Sequence, residues 1–159
     1  MPIRSFSPVV DENSRILILG SIPSVKSLQA QEYYAHPRNA FWFIMAEIFD
    51  FKHNLEYKKR LNLLLQNGVA LFDVIGSCKR EGSLDSAIKE IEHQDFDSFF
   101  KKYPNIKCVF CNGNKAYVEF CKIYKGKMEI FKLPSTSPAN ARMTREEKLK
   151  AWEKIKLYV

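Results

Sequence analysis

Four short, almost purely apolar runs constrain the fold more than anything else in this chain. They are residues 15–20 (RILILG), 69–73 (VALFD), 106–111 (IKCVFC) and 128–133 (MEIFKL). A strand with one face in water alternates apolar and polar residues, whereas a strand covered on both faces does not. Helical patterns lie between the runs. Phe41, Ile44, Met45 and Ile48 recur at i, i+3, i+4 and i+7, so residues 41–51 (FWFIMAEIFDF) read as a buried helix. Residues 56–68 predict a second helix ending near Gly68, and a third follows Asn114. The last is expected to start at Thr144, with Glu147 three residues on as a capping box, and to run through Leu149, Trp152 and Ile155. Strands alternating with helices predict an α/β fold, a three-layer α/β/α sandwich around a central four-stranded parallel sheet. With 159 residues and no linker, repeat or low-complexity tract, the chain reads as a single domain over residues 1–159.

The segments that come after the runs are as informative as the runs themselves. They are GSIPS (20–24), DVIGSCKREGSLD (73–85), NGN (112–114) and PSTSPAN (134–140). Ligands of open parallel sheets bind outside the carboxyl ends of the strands. All four segments therefore belong to one predicted site. YYAHPRN (33–39), just before the 41–51 helix, joins the same rim. A helix needs one capping side chain and a proline at most; here Pro37 would make His36 the cap.

Charge and spacing narrow the chemistry. An excess of 25 Lys and Arg over 18 Asp and Glu gives a net charge of +7, which favours an anionic partner, nucleic acid first. No apolar run reaches the length of a membrane span, and the first residues lack the apolar core of a signal peptide, so the expectation is a cytoplasmic protein. GSIPSVKS has neither phosphate-loop nor dinucleotide spacing, which argues against a nucleotide cofactor. His36, His53 and His93 are scattered, so no metal is expected. Cys108 and Cys111 have C-x-x-C spacing, but strand alternation sends them to opposite faces, as buried reduced thiols. Ser135 and Ser137 lack the G-x-S-x-G setting of a hydrolase nucleophile.

The loops, taken in order, resemble a family. GSIPS after the first strand, YYAHPRNAFW, FDVIGSCKREGSLD after the second strand and LPSTSPAN after the last are similar to the uracil-DNA glycosylase superfamily. Within it they resemble the hypoxanthine-DNA glycosylase (DNA-deoxyinosine glycosylase) branch, over about residues 15–142. Two positions depart from the wider pattern. Ile22 stands where related branches carry an Asp or Asn that positions water, a residue that hypoxanthine-type members similarly lack, the asparagine matching Asn39 taking over there. Ser24 stands where glycine is usual.

The resemblance implies a role for each residue. Asn39 would hold the attacking water; the alternative is that it caps the 41–51 helix. Tyr34 would stack on the flipped base, or else pack beneath its loop. Asp73, ending the second strand, would accept the N1–H of hypoxanthine, a donor that adenine lacks; alternatively it accepts amides of GSLD. The backbone amides of Ser21 and Ile22 would also meet base or sugar. In residues 134–142, Ser135 and Ser137 would hold phosphates, Pro138, Ala139 and Asn140 would fill the vacated stack, and Arg142 would meet the backbone. His36 and Arg38 either touch phosphate or hold the loop.

The expected function is a monofunctional DNA glycosylase of base excision repair, removing hypoxanthine from double-stranded DNA. It would act as a monomer with no cofactor and no protein partner, in the cytoplasm and on the nucleoid when bound to DNA. Three other readings stand beside it: a mismatch-type uracil-DNA glycosylase, a catalytically weak relative that binds damaged DNA, and a small-molecule nucleoside hydrolase. Basic charge and the proline-containing loop speak against the last.

Overall fold

The structure, a computed structural model, describes residues 2–159. Along the chain run β1 (Ile3–Arg4), β2 (Ile16–Gly20), α1 (Val25–Ala30), α2 (Phe41–Phe49), α3 (Tyr57–Gln66), β3 (Val69–Asp73) and β4 (Ile75–Lys79). There follow β5 (Lys89–His93), α4 (Phe96–Lys102), β6 (Cys108–Asn112), α5 (Asn114–Ile123), β7 (Glu129–Leu133) and α6 (Arg145–Trp152).

The four apolar runs pair as one parallel sheet in the order β3-β2-β6-β7. Every residue of β2 and β3 is buried. Alternate side chains of β2, β3 and β6 feed two separate cores. Ile16, Ile18, Val69, Leu71 and Phe110 pack with α2 and Trp152 on one face. Leu17, Leu19, Ala70 and Val109 meet Phe96, Phe99 and Phe120 on the other. This is the α/β/α layering that continuous apolar runs predict. Cys108 and Cys111 fall in opposite cores as free thiols, as the strand period requires.

Several local expectations are corrected. His36 does not cap α2: the helix starts later, its N-cap is Ala40, and residues 36–39 form a turn of their own. The ring Nδ1 of His36 accepts the Arg38 N–H at 3.1 Å within that turn. At its far end α2 stops at Phe49, because Asp50 turns left-handed (φ 57) and returns its N–H to Ala46. The capping box of Thr144 and Glu147 forms as expected, but α6 ends at Trp152, and Ile155 lies in a 3-10 turn beyond it.

The largest difference concerns residues 75–93. The segment after β3, expected as a loop, contains β4, which pairs antiparallel with β1 and β5 in a second sheet. β5 reads KEIEH, with only Ile91 half-buried, so no apolar pattern announces it. Register shifts on either side of Ser77 interrupt the ladder further. Ile22, Ile75, Cys78 and Ile88 form a small core under this sheet. That explains Ile22: its side chain anchors the first loop to the second sheet. Ser24 also has a local reason, since its Oγ caps α1 by accepting the Ser27 N–H at 3.1 Å.

Candidate active site

The carboxyl ends of the parallel strands open into one cavity of about 690 Å3. All four loops line it, together with the segment around Tyr34 and Asn39. Of the residues singled out from the sequence, Ser21, Ile22, Tyr34, Asn39, Asp73, Ser135, Ser137, Ala139 and Asn140 border this space. Pro138 and Arg142 lie outside the lining, as do His36 and Arg38.

Asp73 forms the acidic floor. It is 4% exposed, and its Oδ2 is buried without a hydrogen-bond partner among the described residues. Burial, then the nearby charge of Asp85, raises its carboxyl to about 7, while Arg80 pulls the other way. The GSLD segment does not satisfy it: Asp85 accepts the Ser21 hydroxyl at 2.9 Å, and Ser83 Oγ accepts the Val25 N–H at 2.9 Å. Those bonds instead clasp the second loop onto the first. Arg80 completes the clasp by donating 2.6 Å to the carbonyls of Gly82 and Pro23. The buried Oδ2 at the cavity floor is thus open to a hydrogen bond with whatever occupies the cavity.

Tyr34 stands beside it in a conformation rare for a non-glycine residue, with φ at 56°. The neighbours hold it there. The Ala35 N–H donates to Ser27 Oγ at 3.1 Å, and Trp42 Nε1 donates to the Tyr33 carbonyl at 3.0 Å. One ring face stacks on Phe41, centroids 4.0 Å apart and planes at 22°. Packing beneath the loop is therefore real, and it leaves only the opposite ring face for a ligand. Burial, reinforced by Asp73, pushes the phenol above its ordinary range, while Asn112 pulls the other way. Among the described residues no group stands within hydrogen-bond geometry of its buried oxygen. Tyr33 belongs to the core, its hydroxyl donating to the Ser7 carbonyl at 2.9 Å.

Asn39 has a cap-like bond and an open side. Its Oδ1 accepts the Phe41 N–H at 2.9 Å. That bond fixes which end of the amide is oxygen, since a backbone donor needs an acceptor. Nδ2 is left without a bond within the described chain, at the cavity wall.

The fourth loop is held by residues that sequence reasoning passed over. Asn112 and Thr136 exchange two hydrogen bonds, Nδ2 to Oγ1 and Thr136 N–H to Oδ1, both 2.9 Å. The Thr136 carbonyl then accepts the Ala40 N–H at 2.9 Å, linking this loop to the start of α2. Asn140 Nδ2 donates to the Ser135 carbonyl at 3.0 Å. Ser135 and Ser137 accept backbone N–H groups of Ser137 and Ala139, so their own O–H groups stay available. Lys115 also borders the cavity, steadied by Glu119 at 3.5 Å. Only the position of NGN and PSTSPAN after their strands hinted at these partners.

Comparison with known proteins supplies the chemistry. The family model of the uracil DNA glycosylase superfamily matches residues 7–156. A hypoxanthine DNA glycosylase of Methanosarcina acetivorans is 38% identical over 154 residues, covering 96% of each chain. One of Methanosarcina barkeri is 37% identical over 151 residues, 93% of this chain and 94% of that one. The solution NMR structure of a candidate uracil DNA glycosylase from Methanosarcina acetivorans superposes with a TM-score of 0.86. That structure is 37% identical and covers 98% of this chain and 96% of its own. An open parallel sheet whose loops enclose a polar cavity, in a chain with these relatives, defines a DNA glycosylase: an enzyme that cuts a base from its sugar. The chain belongs to the uracil DNA glycosylase superfamily.

Proposed function

We propose that this protein removes hypoxanthine, the deaminated form of adenine, from double-stranded DNA and leaves an abasic site. The observation that carries the reading is the buried Asp73 carboxyl, whose Oδ2 has no partner among the described residues at the cavity floor. A carboxylate accepts hydrogen bonds and donates none, so it matches the N1–H of hypoxanthine and mismatches the bare N1 of adenine. The names of the two Methanosarcina relatives support the same base.

The nucleotide leaves the stack and its base enters the cavity. The free face of Tyr34 lies against the base, and the backbone amides of Ser21 and Ile22 meet base or sugar. Asn39 holds a water: Nδ2 donates to its oxygen, and the second lone pair of Oδ1 accepts one of its hydrogens. The water oxygen bonds to C1′ as the bond from C1′ to N9 breaks. The electron pair leaves with hypoxanthine, which takes a proton from solvent as the added water loses one. Ser135 and Ser137 donate to phosphates, Pro138, Ala139 and Asn140 occupy the gap in the stack, and Arg142 meets the backbone from outside the cavity. The protein works as a single-domain monomer, without protein partner, on DNA in the cytoplasm.

The test uses duplexes carrying inosine, uracil or ethenoadenine, incubated with the protein and then cleaved with alkali at abasic sites. Inosine duplexes are expected to be cut fastest. Faster cutting at uracil would overturn the assignment of the base, and cutting of none would overturn the activity.

A further inference from the structure

Lys148 is a polar side chain near the fourth loop that the site leaves unused. It lies on α6, only 5% exposed, and burial lowers its ammonium from the ordinary lysine range. Among the described residues no carboxylate stands within 4.0 Å of it. Nζ donates to the Ser137 carbonyl at 3.1 Å, its one hydrogen bond among the described residues. The same oxygen accepts the Asn140 N–H at 3.0 Å and so closes the 137–140 turn. Four residues on, along the same helix face, Trp152 Nε1 donates to the Pro134 carbonyl at 2.8 Å. Helix α6 thus grips the fourth loop at two carbonyls.

Gripping a carbonyl needs a donor, not a charge, and Trp152 does it with a neutral N–H. An ammonium removed from water without a counter-ion destabilises the folded chain. The carbonyl it holds belongs to Ser137, whose own hydroxyl is free to donate at the cavity edge. An anion seated on that serine would give the buried cation its missing partner. We propose that Lys148 is a positioning residue for DNA. Its buried charge draws a backbone phosphate onto the 134–142 loop, and its hydrogen bond keeps the 137–140 turn shaped to receive it. This rests on the reading that the loop meets DNA.

Lys148→Met keeps most of the length of the side chain and removes the charge and the donor. The expected protein melts at or above the wild-type temperature and binds a duplex with an abasic-site analogue about tenfold more weakly or worse. At saturating DNA its single-turnover excision stays within about twofold of wild type, because the reacting atoms are untouched. Lys148→Arg keeps the charge and is expected to bind nearly as wild type does. Three results would each overturn the proposal: unchanged affinity of the Met protein, failure of that protein to fold, or an Arg protein that folds but binds as weakly as the Met one. A Ser135→Ala/Ser137→Ala protein measured alongside separates two kinds of failure. If the serines matter and Lys148 does not, only the lysine proposal falls; if neither matters, the DNA-binding reading of the loop falls with it.

Discussion

Tyr34 and Asp73 approach each other across Gly20, and the missing side chain of that glycine is what gives them room. A Cβ on Gly20 would lie 2.5 Å from Asp73 Oδ1 and 3.0 Å from the Tyr34 hydroxyl. Both side chains keep a buried oxygen without a hydrogen-bond partner among the described residues. The last residue of β2 thus decides whether a phenol and a carboxyl share the floor of one cavity.

Gly20→Ala is therefore expected to displace both groups while leaving the fourth loop alone. Single-turnover excision of inosine should fall by about 10² or more, the usual consequence of moving a positioning group by about 1 Å. Binding to an abasic duplex should persist. An alanine protein with normal excision would show that the Tyr34–Asp73 arrangement is not used.

The pH dependence of stability follows from Asp73. Its carboxyl is raised from 3.8 to about 7 in the folded chain. Between those values the unfolded chain is ionised at this residue and the folded chain is not. The contribution to stability is thus full below about pH 4, declines as pH rises, and is lost above about pH 7, a change on the order of a few kcal/mol. Asp73→Asn removes this penalty, so its melting temperature should exceed the wild type's by more at about pH 8 than at about pH 5.

The same substitution tests base selection. The amide introduced there can donate to adenine N1, so the Asp73→Asn protein should lose its preference for inosine over adenosine, with inosine excision down roughly ten- to a hundredfold. Wild-type selectivity should grow as pH rises through about 7, where the carboxyl becomes a pure acceptor, and the variant should show no such trend. Equal losses on inosine and uracil, with a lowered melting temperature, would make Asp73 a scaffold residue.

Asn39→Ala should reduce single-turnover excision by about 10² or more with little change in abasic-duplex affinity. Losing the bond to the Phe41 N–H should also lower stability by about 1 kcal/mol. Asn39→Asp separates the two roles. It keeps an acceptor for Phe41 and loses the Nδ2 donor, so it should recover stability without recovering excision. Near-normal excision by the alanine protein would remove Asn39 from catalysis.

Arg142 is exposed and lies outside the cavity, where a phosphate contact would be external. Arg142→Ala should reduce the slope of log affinity against log salt by roughly one and leave the order of preferred bases intact. An unchanged slope, read from binding titrations at several salt concentrations, would exclude the contact.

Much of this architecture was legible in the amino-acid order. β2, β3 and β6 announced themselves as continuous apolar runs because both their faces are covered, a property each strand carries in its own residues. The edge strand β7, with Glu129 and Lys132 exposed, showed itself through Ile130, Phe131 and Leu133. The Thr144 and Glu147 cap is equally local. So is the position of the loops, since the segment after a strand of a parallel sheet must emerge at its carboxyl end. The second sheet was not legible: KEIEH becomes a strand only because Ile75–Lys79 stands beside it. Nor were the reciprocal bonds of Asn112 and Thr136, 24 residues apart, the burial of Lys148 under a turn it does not adjoin in sequence, or the effect of Asp85 on Asp73. Periodicity and capping act between near neighbours and are written in the chain. Burying a polar group, choosing its partner and shifting its protonation depend on distances that exist only once remote segments have packed together.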